Sequence, residues 1–336
     1  MHHFFKHIAF AAFCIILLLL PAPGWSQDKK AVKYPTKPVD LIVPWAPGGG
    51  SDMSARLLAP YAAKKLGVPV NVVNVSGASG VTGMLQALKV APDGYSLLYD
   101  GNSVSSMMFG TRTDLPLKLE DRTFITRTTT DNWYFFCNIK TGWKTLEEAL
   151  QFIRSKPEEF KWGAAAYGGA PMFAQVNLFT VAGISMEKIK RTRMVFFEKG
   201  NAPSMQACIT GDVQFAVGMR PDVANLLATG RVRILASNGP ERTKEHPDIP
   251  TTKELGYPEA SSVTWFGLSG PKGLPDYVVK TWDDLVRGAM SDPEAQAAAN
   301  KALKTWAYLP PGEFKTFVLK EYEQIISVAT ALGIRK

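Results

Sequence analysis

Val39-Asp40-Leu41-Ile42-Val43-Pro44-Trp45-Ala46-Pro47-Gly48-Gly49-Gly50-Ser51-Asp52 is the stretch on which the reading of the fold turns. A short β-branched apolar run, Val39 to Val43, passes through a Gly-rich turn into an amphipathic helix that reaches Leu66 and is closed by Gly67. The same succession recurs along the chain. Val70 to Val75 leads through Ser76 to Gly80 into a helix ending near Val90, and Phe160 to Ala164 leads through Ala165 to Ala170 into a helix ending at Ala182. Strands alternating with helices predict a mostly parallel sheet with helices on both faces.

Outward from these units, Tyr95 to Tyr99, Trp133 to Ile139, Arg193 to Phe197, Val213 to Val217 and Val232 to Ser237 read as further strands. Thr145 is placed to cap a helix to Ser155, which Pro157 ends. Helices are expected from Ala202 to Thr210 and from Asp222 to Thr229. Ser262 to Gly270 reads as one long strand, followed by helices near Asp276 to Met290, Asp292 to Thr305 and Pro311 to Leu332.

In open parallel sheets, ligands sit beyond the carboxyl ends of the strands, where loops hand over to helix N-termini. Such a terminus offers unpaired N–H groups and the positive end of a helix dipole, which suits a carboxylate or phosphate. The turn Pro47 to Asp52, with Trp45 beside it, fits this role. Its glycines permit positive φ and close approach, and Ser51 or Asp52 can cap the helix. Comparable loops supply Ser76, Ala78, Ser79 and Gly80; Asn102 and Ser103; Ala166, Gly168, Gly169 and Ala170; and Glu198, Gly200 and Asn201. One such turn is equally well a structural corner. Several at equivalent strand ends, spread over both halves of the chain, point to a cleft lined by backbone donors. Among the neighbouring aromatics, Trp45, Trp265 and Phe266 are candidates for ligand contact or for core.

The first residues have a different character. A weakly basic start, an apolar run from Ile8 to Leu20, and the small pair Gly24 and Ser26 predict a signal peptide over residues 1–26, cleaved after Ser26. An uncleaved anchor is the alternative, although the run is short for a bilayer. Roughly 310 of the 336 residues then remain, more than one core readily organises. The composition, 46% hydrophobic and 20% charged, is that of a globular protein, and a net charge of +8 without a Lys/Arg run argues against a nucleic-acid partner. Enzyme signals are weak. His246 is the one histidine left after leader removal, no nucleophile elbow accompanies it, and no His/Cys/Asp/Glu spacing suits a metal or calls for a cofactor. Cys137 and Cys208 are able to pair in an oxidising compartment, but two buried thiols packing as small hydrophobes is the simpler reading.

Tyr34-Pro35-Thr36-Lys37-Pro38 followed by Ile42 to Asp52 resembles the N-terminal signature of the tripartite tricarboxylate transporter substrate-binding proteins, the Bug-type receptors. The resemblance continues through Ala91 to Leu98, Gly211 to Val213, Gly230 to Ala236, Pro247 to Thr252, Glu254 to Gly256 and Trp265 to Leu268. It implies an α/β fold of the type II periplasmic-binding-protein kind, with two lobes joined by crossing strands. Lobe 1 is expected to combine residues 27–135 and 258–336, and lobe 2 to span 136–257. It further implies a periplasmic, monomeric receptor that closes over a small organic carboxylate and delivers it to membrane subunits of a tripartite transporter. Gly48 to Asp52 and Ser76 to Gly80 would hold the carboxylate. The second-lobe motifs depart from the family pattern. Gly169 and Met172 stand at the usual Ser and His, Phe197-Glu198-Lys199-Gly200 replaces Pro-Tyr-Lys-Gly, and Gln214 replaces an acid. Glu198, if it faces the cleft, disfavours a second carboxylate. A sensor feeding a membrane kinase and an exported enzyme remain the alternative functions.

Overall fold

A computed structural model describes residues 33–165, 168–197, 201–260 and 263–335. The expected signal peptide and the positions Ala166, Glu198 and Gly200 lie outside the described residues. From Pro35 onward the chain builds two sheets. Strands β1 (Val39–Val43), β2 (Val70–Asn74), β3 (Ser96–Gly101) and β4 (Arg122–Asp131) enter the first. The chain then builds the second from β5 (Trp133–Asn138), β6 (Lys161–Ala165), β7 (Arg193–Phe197), β8 (Phe215–Met219) and β9 (Val232–Ser237). It returns to the first with β10 (Thr264–Pro271) and β11 (Thr305–Leu309). The six-stranded order is β11-β4-β10-β3-β1-β2 and the five-stranded order is β7-β6-β8-β5-β9. Passage between sheets falls at Asn132, so Trp133 to Phe135, grouped by the sequence with the first lobe, pair in the second sheet.

Both sheets are mixed, which corrects the expectation of mostly parallel ones. The parallel neighbours are β2-β1-β3 and β7-β6-β8. Against them, β10 runs antiparallel to β3 and β4, and β5 antiparallel to β8 and β9. Helical crossovers return the chain to the same end of a sheet and so generate parallel pairs. Strands that carry the chain from one sheet to the other arrive from the opposite end.

Local rules explain the elements that were foreseen. Gly67 takes φ 70° and donates its N–H to Ala63, closing the helix Gly50–Leu66. Thr145 accepts from the Glu148 N–H at the start of Leu146–Ser155. Four strands and α-helices went unforeseen: β4, the helix Ser106–Thr111, the helix Met186–Arg191 and β11. In β4, Arg122-Thr123-Phe124-Ile125-Thr126-Arg127-Thr128-Thr129-Thr130-Asp131 reads as polar, yet threonine is β-branched and suits a strand. Its hydroxyls find partners inside: Thr128 with Tyr99 at 2.7 Å and with the Phe266 carbonyl at 3.0 Å, and Thr126 with the Leu309 carbonyl at 2.8 Å. The helix expected to run to Thr305 stops at Lys301, because Leu303 adopts φ 52° and turns the chain into β11.

Helix Pro311–Leu332 spans both cores. Phe314 and Val318 pack with Ile42, Leu98 and Trp265 of the first sheet, while Ile325 and Ala329 join Phe135, Trp162 and Phe215 of the second. Cys137 and Cys208 are both buried and free. On the same helix Glu321 is half-buried, with its Oε2 accepting from Ser106 Oγ and from Trp265 Nε1 at 2.8 Å. Burial drives its carboxyl above the usual range, against the pull of hydrogen bonds from Ser106, Trp265 and Asn102. A raised carboxyl pKa favours the neutral form in the folded state, so this group weakens the fold as pH rises above its ordinary value. Glu321→Gln keeps the acceptor and removes the charge. It should raise Tm by about 2 °C at pH 8, with the gain shrinking toward pH 4.5, as calorimetry can check.

Candidate functional site

Between the two sheets lies a cavity of about 450 Å³, within the size range of small-molecule sites. From the first sheet it is lined by Trp45, Ala46, Pro47, Gly48, Gly49, Gly50, Ser51 and Met53 after β1, and by Gly101, Asn102 and Ser103 after β3. The second sheet brings Ala170 and Pro171 after β6, Asn201, Ala202 and Met205 after β7, and Met219, Pro221 and Asp222 after β8. Trp133, Thr264, Phe266 and Lys304, on or beside the strands around the crossing, close it between them.

The N-terminus of the 17-residue helix Gly50–Leu66 opens onto this space. Its N-cap is Gly49, and no side chain caps it. The expectation that Ser51 or Asp52 provides the cap is therefore corrected: both lie inside the first turn, and Asp52 faces elsewhere. Asp52 is buried, accepts from Gly48 N–H at 2.9 Å, Arg56 Nε at 3.0 Å and Asn74 Nδ2 at 2.9 Å, and does not line the cavity. The Asn74 amide also reaches the Trp45 carbonyl at 3.0 Å, so one carboxylate braces both flanks of the glycine turn. Burial raises the Asp52 pKa, but the bonds from Arg56, Gly48 and Asn74 and the Arg56 charge outweigh it and hold the carboxyl below its ordinary value.

The glycines have separate roles. Gly48 alone of the three has positive φ, +86°, whereas Gly49 sits at φ −80° with only the Ala46 carbonyl near its Cβ direction, at 3.8 Å. A Cβ on Gly50 would stand 2.8 Å from the Phe266 ring. A glycine is required at Gly48 by conformation and at Gly50 by close approach, not at Gly49.

The second loop is set back. Ser76, Ala78 and Ser79 are exposed and Gly80 is buried, but none of the four lines the cavity. Gly80 instead backs Trp45, whose ring edge lies 3.5 Å from its Cβ direction. Gly168 packs on Thr111, and Gly169 is the N-cap of helix Ala170–Val181, so Ala170 alone of that group reaches the lining. Asn102 and Ser103 do line it. Their loop is held by a buried cluster in which Ser105 Oγ and Arg122 Nη1 donate to Asp100 Oδ2 at 2.7 and 3.1 Å. Of the flagged aromatics, Trp45 and Phe266 line the cavity, and Trp265 is core.

Several lining groups escaped the sequence reading. Lys304, buried, sets its ammonium 2.6 Å from Asp131 Oδ2 and over the Phe266 ring at 5.3 Å. Asp222 Oδ2 accepts from Met219 N–H at 2.8 Å. Burial raises the Asp222 pKa, the Met219 bond opposes it, the Asp131 charge adds to it and the Lys304 charge subtracts. Asn102 Oδ1, Asn201 Oδ1 and Thr264 Oγ1 are buried without a partner among the described residues. Such atoms are rarely left unpaired in a finished site. Lys304 sat at the end of an expected helix and Asp131 in a polar-looking run, which gave no signal that they meet. Among the described residues no three His, Cys, Asp or Glu side chains gather as a metal site, and no helix is long and apolar enough to cross a membrane.

Two α/β lobes joined by crossing strands, with a solute-sized cavity walled by strand-end loops of both, define a solute-binding protein of the periplasmic type. The chain belongs to the tripartite tricarboxylate transporter family receptors, whose family model matches residues 54–319. It is 28% identical over 339 residues to the UPF0065 protein in gbd 5'region of Cupriavidus necator, covering 99% of this chain and 98% of that one. To the protein BugT of Bordetella pertussis it is 27% identical, covering 96% and 97%. A solved periplasmic transporter structure matches with a TM-score of 0.75 at 26% identity, over 90% of this chain and 99% of that one.

Asp52→Ala should destabilise the protein by about 1–3 kcal/mol, because it leaves the Gly48 N–H and the Asn74 amide short of an acceptor. A depressed carboxyl pKa contributes fully above the ordinary value of 3.8 and loses its contribution as pH falls through the folded-state value, so the difference should fade in acid. Gly48→Ala should cost about 1 kcal/mol more than Gly49→Ala, which meets no positive φ. Urea unfolding of the three variants measures all of this.

Proposed function

We propose that this receptor captures a small organic acid by seating one carboxylate on the uncapped N-terminus of helix Gly50–Leu66, and that its lobes close to complete the site. One observation carries the reading: a 17-residue helix presents an end without a side-chain cap to an interlobe cavity. The orphan N–H groups of that first turn and the helix dipole favour an anion there. Asp52, the nearest carboxylate, is already neutralised by Arg56 and does not compete. On this reading Gly48, Gly49, Gly50, Ser51, Asn102, Ser103, Ala170 and Asn201 contact ligand, Asp52 and Asn74 hold the turn, and Ser76 to Gly80 support Trp45.

The lobes divide at Asn132 and just before Thr264, so that β4, β5 and β10 form the hinge. The protein acts outside the cytoplasm after loss of residues 1–26 and hands its ligand to membrane subunits of a tripartite transporter. It binds without turnover, as its membership of a receptor family supports.

Ligand bound to the folded state alone raises the melting temperature. A thermal-shift series on the mature protein should respond to one or more small carboxylates and not to the matching amides. Chromatography of the incubated acid should return it unchanged. Equal response to acid and amide removes the carboxylate from the reading, and a product peak replaces the receptor with an enzyme.

A further inference from the structure

The charge and polarity of the cavity restrict which carboxylate it accepts. Its walls are mainly apolar, with Trp45, Trp133 and Phe266 beside Met53, Met205 and Met219. Among the described lining residues Lys304 is the only cation, and its ammonium is already held by Asp131. Arg56 and Arg220, the neighbouring guanidiniums, are paired with Asp52 and Glu245 and do not line the space. Asp222 brings a second carboxylate. Its Oδ2 takes the Met219 N–H, while its Oδ1 has no partner among the described residues. Asp222 thus lines the cavity as a carboxylate of the second lobe, while Asp131, which holds Lys304, does not line it.

The second-lobe helix ends do little to offset this. Pro171 and Pro203 each remove an N–H from the first turn of their helices, Ala170–Val181 and Asn201–Thr210. Among the described lining residues of these two helices, the spare side-chain polar group is an acceptor. The Asn201 amide nitrogen is spent on the Val217 carbonyl at 2.7 Å, which leaves Oδ1 as an unpaired acceptor. Asn102 and Thr264, each only 3% exposed, line the cavity with Oδ1 and Oγ1 unpartnered among the described residues, the Thr264 hydroxyl being able to donate as well as accept.

We propose that the cavity selects a monocarboxylate with an apolar body and a neutral or cationic hydrogen-bond donor at its other end, and that Asp222 sets the rejection of dicarboxylates. The inference rests on the carboxylate-receptor reading above and names its ligand class. A second carboxylate would enter next to Asp222 with no free cation among the described lining residues, and like charges brought together in a dry site repel strongly. A hydroxyl or ammonium there meets Asp222 Oδ1 and, on the same lobe, the unpaired Asn201 Oδ1.

A matched six-carbon series tests this by isothermal titration of the mature protein at low salt. The ligands are adipate, 6-hydroxyhexanoate and 6-aminohexanoate. On the wild type the last two should bind at least about tenfold more tightly than adipate. Asp222→Asn keeps an acceptor for the Met219 N–H and removes the charge. It should bring adipate to within about threefold of 6-hydroxyhexanoate and weaken 6-aminohexanoate about tenfold. Adipate binding tightest to the wild type overturns the assignment and leaves the carboxylate receptor standing, as does an unchanged gap in a folded Asp222→Asn. Should Asp222→Asn fail to fold, the wild-type ranking decides alone. Binding of none of the three overturns this inference, and the thermal-shift series against other carboxylates then decides the receptor reading.

Discussion

A helix whose first turn must stay open to a ligand cannot use the ordinary side-chain cap, and the architecture around Gly50–Leu66 answers that constraint. Forgoing a cap costs on the order of 1 kcal/mol. The turn is held instead from behind, through Asp52 bonded to Gly48, Arg56 and Asn74, and through Asn74 to the Trp45 carbonyl. The brace leaves the N–H groups of the first turn facing the cavity. It also explains why the carboxylate nearest the anion site does not repel an anion, since its charge is balanced by Arg56 at 3.0 Å.

The second constraint is the crossing of the chain between sheets. At the end of β4, Asp131 is registered opposite Thr264 of β10, and Lys304, just ahead of β11, reaches it from the edge of the same sheet. Both charges are buried, and losing either partner of such a pair costs about 3–5 kcal/mol. The pair therefore ties three segments that are far apart in sequence at the point where the lobes meet. Because Asp131 consumes the Lys304 charge, it also leaves the described lining residues without a free cation. Stability at the hinge and ligand choice share one interaction.

Much of the fold was legible because the signals were local. Apolar runs of five residues, glycine at positive φ after Leu66, and Thr145 with Glu148 are all settled within one turn of chain. β4 was missed because its threonines look polar, and their suitability for a strand depends on acceptors supplied by Phe266 and Leu309, more than 130 residues away. β11 was missed because a single left-handed residue, Leu303, divides what hydropathy reads as one helix. In the site, the Pro47 to Ser51 turn and the Asn102 and Asn201 loops come to one cavity. Ser76 to Gly80 stops behind Trp45, and Asp52 turns away to brace the loop.

By itself, the sequence determined the alternation of elements, the glycine turn at the end of β1, the succession of motifs that marks the family, and the absence of a basic run. These depend on residue type and spacing within a few positions, where hydrophobic period and backbone sterics dominate. Only the tertiary structure decided that both sheets are mixed, that Gly48 and not Gly49 needs the left-handed turn, and that Lys304, held by Asp131, lines the same cavity as Asp222. Those outcomes depend on which strand ends are carried beside each other by the crossing at Asn132. Charges brought together in that way carry no mark in the local chain.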